Sequence, residues 1–176
     1  MNKRALVIGL LYCIAVIAFK LFILLGGYTL TRFGFYYSNI VGVFAIIPFF
    51  VIAVYVVREK DFGGIISGKD AVRMSLTVLA VAAIVVSVYN YIEFDWKYRD
   101  IAVEYYNSPE YMKILEDIKA KNPGKVTMPL PDIIKAQIGD LSAGKATTGK
   151  LFPLILIGLS GAFVTAMFMK RGSKKA

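Results

Sequence analysis

Six carboxylates fall close together in this chain: Glu93, Asp95, Asp100, Glu104, Glu116 and Asp117. Paired carboxylates can do general acid–base work or hold a hard cation. Asp100 and Glu104 are four residues apart, which puts them on one face of a helix. Lysines and arginines are interspersed among these acids, and that pattern reads as a solvated surface. Histidine is absent. Its absence removes the commonest general base, the commonest metal ligand and every triad built on imidazole. The single cysteine, Cys13, sits among Ile, Leu and Val. It can form neither an internal disulfide nor a Cys-based zinc site, and it reads as a packing residue.

Three segments come close to a phosphate-binding loop: 63–70, 139–146 and 144–151. Each ends in Gly-Lys followed by one further residue. That residue must be Ser or Thr to ligate magnesium. Here it is Asp70, Ala146 or Leu151. Nucleotide binding is therefore not expected. No nucleophile has a base at a recognisable spacing. Catalytic residues, cofactor-binding residues, metal ligands and cofactors are all assigned as none, and the chain is read as a non-enzyme.

The elements that would have to position any such chemistry are apolar. Of the 176 residues, 57% are hydrophobic, against nearer half in a soluble domain, and they are concentrated in blocks. The blocks cover 5–25, 36–57, 71–92 and 151–169. Each is about as long as the 17–25 residues a helix needs to cross a bilayer. The first continues well past the length of a signal-peptide core and reads as an uncleaved span. The expected fold is all-α: one membrane domain over 1–176, a four-helix bundle with a helical extramembrane segment, 93–150, between spans three and four.

Charge gives the spans a direction. One side holds Lys3, Arg4, Arg58, Lys60, Lys69, Arg73, Lys170, Arg171, Lys174 and Lys175, against only Glu59, Asp61 and Asp70. The other side has Lys20 and Arg32, and the charges of its long segment balance. Both termini are therefore expected to be cytoplasmic. The net charge of +9 follows from topology and calls for no nucleic-acid partner. Aromatics agree, because Tyr28, Phe35, Tyr36, Tyr37, Tyr89, Tyr91, Phe94, Trp96 and Tyr98 gather at the outer ends of the spans, where amphipathic rings settle at headgroup level.

Inside the bundle, Gly158, Ala162 and Ala166 recur every fourth residue, the small-xxx-small spacing that lets helices approach closely. Ala83 and Ser87 repeat it once. These faces are expected to pack on each other or on a second copy or another membrane protein. Pro48 should kink the second span. Lys20 is expected to snorkel to the outer interface, which leaves no ionisable residue at mid-membrane and disfavours an ion-coupled carrier.

The outer segment shows helical period. Tyr98, Ile101, Ala102 and Tyr105 extend the third span as an amphipathic helix. Ser108-Pro109-Glu110 opens a second helix, with Tyr111, Ile114, Leu115 and Ile118 as its stripe. It ends at Asn122-Pro123-Gly124. A third follows Pro131, with Ile134, Ile138 and Leu141 on one face. Residues 142–150, rich in Gly, Ala and Thr, are expected to form a hinge. The stripes need a cover, which could be each other, the leaflet surface or a partner.

The stretch 58–94 carries a resemblance. A charged turn leads into Gly63-Gly64-Ile65-Ile66-Ser67, then Ala71 and an apolar span, then Tyr89-Asn90-Tyr91-Ile92-Glu93-Phe94. This resembles a family of small four-span bacterial membrane proteins catalogued only as a domain of unknown function. The likeness extends over most of the chain. Family members often carry an aromatic where this chain has Gly68. The resemblance implies the four-span topology and a bacterial inner membrane, and it implies no catalytic residues. The reading is therefore a multi-pass membrane protein with a non-catalytic structural or accessory role. A small-solute or ion transporter subunit is the alternative, and a membrane-embedded enzyme acting on lipid or envelope material comes third.

Overall fold

Four helices in the computed structural model are long and apolar enough to cross a membrane: Lys3–Leu25, Ile40–Asp61, Gly68–Tyr106 and Ala143–Met169. The structure describes residues 2–122 and 127–170, and no strand forms among them. Arg171, Lys174 and Lys175 of the basic tail lie outside the described residues, as do Pro123 and Gly124 of the expected helix stop and the side chains of Arg32, Phe35 and Tyr36.

Helix α1 (Lys3–Leu25) starts where the Asn2 side chain accepts from the Arg4 and Ala5 amides, two of the four donors a helix start leaves free. The second span is broken into α2 (Arg32–Phe44) and α3 (Ile46–Asp61), joined at Ala45. The break falls three residues before Pro48, and chemistry accounts for it. Proline has no N–H to donate to the Phe44 carbonyl, and its ring crowds that same carbonyl. In the last turn of α2 the Val41 carbonyl accepts from the Ala45 amide, while later carbonyls lie beyond the helix's own donors. The Tyr12 hydroxyl of α1 donates to one of them, on Gly42.

Gly63 and Gly64 then reverse the chain with φ of 59° and 89°, a left-handed region that other residues rarely adopt. Ile66 follows and is 1% exposed. It sits in a cluster with Ala5, Val54, Val57, Ala71, Met74 and Ala166. Ser67 caps α4 (Gly68–Glu93) by accepting from the Asp70 amide. A π-helical turn, Phe94–Tyr98, joins α4 to α5 (Arg99–Tyr106) without a break in helical geometry. The 39-residue column from Gly68 to Tyr106 is about 58 Å long at 1.5 Å per residue. Since a whole bilayer is about 40–45 Å thick, α5 lies clear of the hydrocarbon, as its amphipathic period predicts.

Helix α6 (Pro109–Lys121) begins at its expected Ser108 cap, and α7 (Leu130–Asp140) starts one residue before Pro131. With α5 they form a cap. Ala102, Leu115 and Ile134 are buried in it, and the Tyr111 hydroxyl donates to Gln137 Oε1 at 2.6 Å. The cap helices thus cover part of one another's stripes. Ile114 and Ile118 stay exposed.

The expected hinge at 142–150 is not present. Helix α8 runs unbroken from Ala143 to Met169, through Pro153. Ser142 accepts from the Lys145 amide, and Ala143 is buried. A sound N-cap and tertiary contact override the weak helix propensity of Gly and Thr there.

In the bundle, α4 packs against α1, α3 and α8, and α3 also touches α1 and α8. Tyr12, Phe50, Val78, Ala82, Leu154 and Ala162 fill the centre. The stripe of Gly158, Ala162 and Ala166 is buried within the chain. A Cβ added to Gly158 would meet Leu79 Cδ1 at 2.5 Å. In lipid this contact is held by close van der Waals packing, because apolar burial gains little there.

Candidate functional site

Lys20 does not snorkel. Its side chain is 5% exposed and its ammonium points into the bundle. It donates to Asn90 Oδ1 at 2.8 Å and to Glu93 Oε2 at 3.3 Å. Both partners come from α4, where a spacing of three puts them on one face. Glu93 is 6% exposed, and its other oxygen accepts from the Tyr89 hydroxyl at 3.1 Å. A second ammonium, Lys150 of α8, lies 3.7 Å from Glu93 Oε2 and 5.1 Å from the Tyr98 ring centre. Three spans therefore meet at one carboxylate.

Physical chemistry explains why Lys20 turns inward. A snorkelling lysine needs a path to water past lipid. Glu93 and Asn90 offer a nearer answer, pairing the charge and accepting its hydrogen bonds inside the protein. The π turn begins directly after Glu93 and ends at Tyr98, whose ring faces Lys150. Such turns are rare and often mark functional sites.

The cluster borders a cavity of about 330 Å³ between α1, α2, α4 and α8. Its polar wall carries Lys20, Ser87, Asn90 and Lys150. Val43, Phe44, Val86, Leu154 and Ile157 supply most of the apolar wall. Gly42 and Phe44 belong to the last turn of α2, so the broken second span forms one side.

The other residues of chemical interest lie elsewhere. Asp100, Glu104, Glu116 and Asp117 are exposed on the cap, away from Glu93. Among the described residues no group of three or more His, Cys, Asp or Glu could hold a metal ion. Cys13 is buried, with Sγ 3.9 Å from the Val81 carbonyl oxygen. The segment 144–151, one of the near phosphate-loop matches, is a stretch of α8 and offers no loop. The aromatics of the third span's end also divide in two. Tyr91 and Trp96 are exposed like belt residues, whereas Tyr89, Phe94 and Tyr98 face the protein and two of them flank the cluster.

Tyr89, Asn90 and Glu93 lie within the sequence stretch that suggested a family, and the Gly63–Ser67 reversal lies in the same stretch. A family model described as protein of unknown function (DUF4199) matches residues 3–171. The chain belongs to this family. No curated protein and no solved structure matches it. This DUF4199 member is a multi-pass membrane protein with four apolar, span-length helices.

The sequence holds two separate signals for the cluster. One is a lysine inside an apolar run. The other is an Asn and a Glu three residues apart at the end of another run. Hydropathy treats each as a tolerated exception and gives no account of the helix pairing that joins them.

Proposed function

We propose that this protein is a non-catalytic structural or accessory component of the bacterial inner membrane, with both termini cytoplasmic. The observation that supports the reading best is the state of Glu93. Tyr89 and Lys20 hold its oxygens, Lys150 stands beside it, and the carboxylate is buried. A carboxylate paired in this way stabilises an arrangement of helices, whereas a general base needs access to a substrate proton. The orientation is supported by the basic excess at the bundle end that carries Asn2 and Lys170.

An accessory role requires a partner, either a second copy or another membrane protein. Within one chain the Gly158, Ala162 and Ala166 stripe is buried, with Leu79 of α4 against Gly158. The contact is therefore assigned to the exposed Ile114 and Ile118 of α6, one turn apart on the cap. A photoreactive residue at position 118 should give one discrete adduct in native membranes, identifiable by mass spectrometry. A chain that gives no adduct and purifies as a monomer from mild detergent would refute the accessory reading.

The second reading is a subunit of a small-solute or ion transporter. It is favoured by the buried ionisable pair lying beside a cavity inside the membrane. Solute flux into liposomes reconstituted with the protein alone, lost in Lys20→Met, would select it over the first.

A further inference from the structure

The charges around the cavity do not cancel. Lys20 and Lys150 bring two positive charges to the single negative charge of Glu93. An ammonium has three donors. Lys20 uses two of them, on Asn90 and Glu93. Lys150 makes no hydrogen bond to the described residues, and its side chain is 27% exposed. Among the described residues both cations keep donors unused, and they line the polar wall, while most of the lining is aliphatic or aromatic. A net positive charge held beside a largely apolar cavity is costly unless an anion compensates it.

The position of the cavity narrows the ligand further. Lys20 is five residues before the end of α1, about 7–8 Å along its axis, and Glu93 ends α4. The polar wall thus lies near headgroup level, with the apolar wall extending from it. Ile40 and Phe44, on the α2 side, are 49% and 52% exposed and leave a lateral apolar entrance. A volume of about 330 Å³ falls at the small end of ligand pockets, which suits one chain better than a bulky ring system.

We propose that this cavity binds an anionic amphiphile, with a phosphate or carboxylate head on Lys150 and Lys20 and a single hydrocarbon chain along Val43, Phe44, Leu154 and Ile157. A lipid of the surrounding membrane and a free single-chain acid share this chemistry.

The glycines supply a clean test. Gly42 and Gly149 both line the cavity, and among the described residues a Cβ added to either meets no atom of a neighbouring element within 4 Å. Gly42→Leu should fill the cavity without disturbing its walls. Purified protein in dodecyl maltoside, a neutral amphiphile that itself competes for the cavity, is titrated with dodecyl phosphate and followed by native mass spectrometry. One saturable adduct is expected. It should weaken at least tenfold in Lys150→Gln, stay within about threefold in Lys150→Arg, and vanish in Gly42→Leu.

The wild-type protein alone is also decisive. Dodecyltrimethylammonium should give no saturable adduct, and inorganic phosphate should compete at least a hundredfold more weakly than dodecyl phosphate. The proposal is overturned if the cationic amphiphile binds equally, if inorganic phosphate competes as well as dodecyl phosphate, or if no saturable adduct forms. Wild-type affinity in folded Lys150→Gln or Gly42→Leu overturns it as well. Brominated phosphatidylglycerol in nanodiscs then separates the sources: retention through nanodisc exchange identifies a membrane lipid, and its displacement by laurate identifies a free acid.

Discussion

At the scale of single residues, Glu93 is the group on which Lys20, Lys150 and Tyr89 converge. Removing one partner of a buried ion pair costs about 3–5 kcal/mol, because the other charge is left without compensation. Glu93→Gln leaves Lys20 and Lys150 facing each other, so the full cost is expected. Lys20→Met should cost less than half as much, since Glu93 keeps Lys150 at 3.7 Å and the Tyr89 hydroxyl. Replacing both, as Lys20→Met with Glu93→Leu, should return stability to within about 1–2 kcal/mol of wild type, because buried pairs often exchange neutrally for apolar residues. Equilibrium unfolding in mixed micelles measures all three, and equal costs for the two single variants would refute the assignment. The exposed pairs behave differently. Arg4–Asp61 and Lys145–Asp140 have side chains 29–68% exposed, so water screens both pairs and breaking either should leave stability almost unchanged.

At the scale of elements, the chain joins its spans through two kinds of close contact. One is the polar knot where α1, α4 and α8 meet at Glu93. The other is the glycine seam between α4 and α8, where Gly158 leaves room for Leu79. Gly158→Val puts methyl groups where Leu79 already lies, so it should destabilise by about 1–3 kcal/mol. Adding Leu79→Ala should recover part of that loss, and thermal unfolding of the three variants checks both expectations. Non-additivity is the informative outcome, because independent sites would simply sum. The α8 side of the seam was legible in the sequence as a repeat of small residues, but its facing residue was not, because the repeat of Ala83 and Ser87 pointed past Leu79. The polar knot was not, because its members lie on three spans and no local pattern joins Lys20 to Asn90. The break at Ala45 was half legible. Proline gave its existence, but the steric clash acts on the preceding turn and moves it ahead of Pro48. The continuity of α8 through 142–150 was hidden, because Gly and Thr argue against helix locally while Ser142 and the buried Ala143 decide for it.

At the scale of the whole molecule, the four spans were legible because hydrocarbon thickness imposes a length that few other constraints produce. The cap was legible because its helices carry their own caps and stripes. What charge adds is direction, and direction can be measured. The structure sets the choice of reporter, since Leu115 is buried in the cap whereas its neighbour Glu116 is exposed. At the opposite end, Lys69 is exposed at the start of α4. Cys13→Ser gives a cysteine-free background at small cost, because the serine hydroxyl can donate to the Val81 carbonyl that Sγ already faces. In that background, Glu116→Cys should react with an impermeant maleimide in intact spheroplasts, and Lys69→Cys only after lysis. The reverse pattern would place both termini outside and refute the proposed orientation. It would also move the Lys20–Glu93 cluster to the cytoplasmic leaflet, so the same labelling pattern decides from which face an anionic amphiphile reaches the cavity.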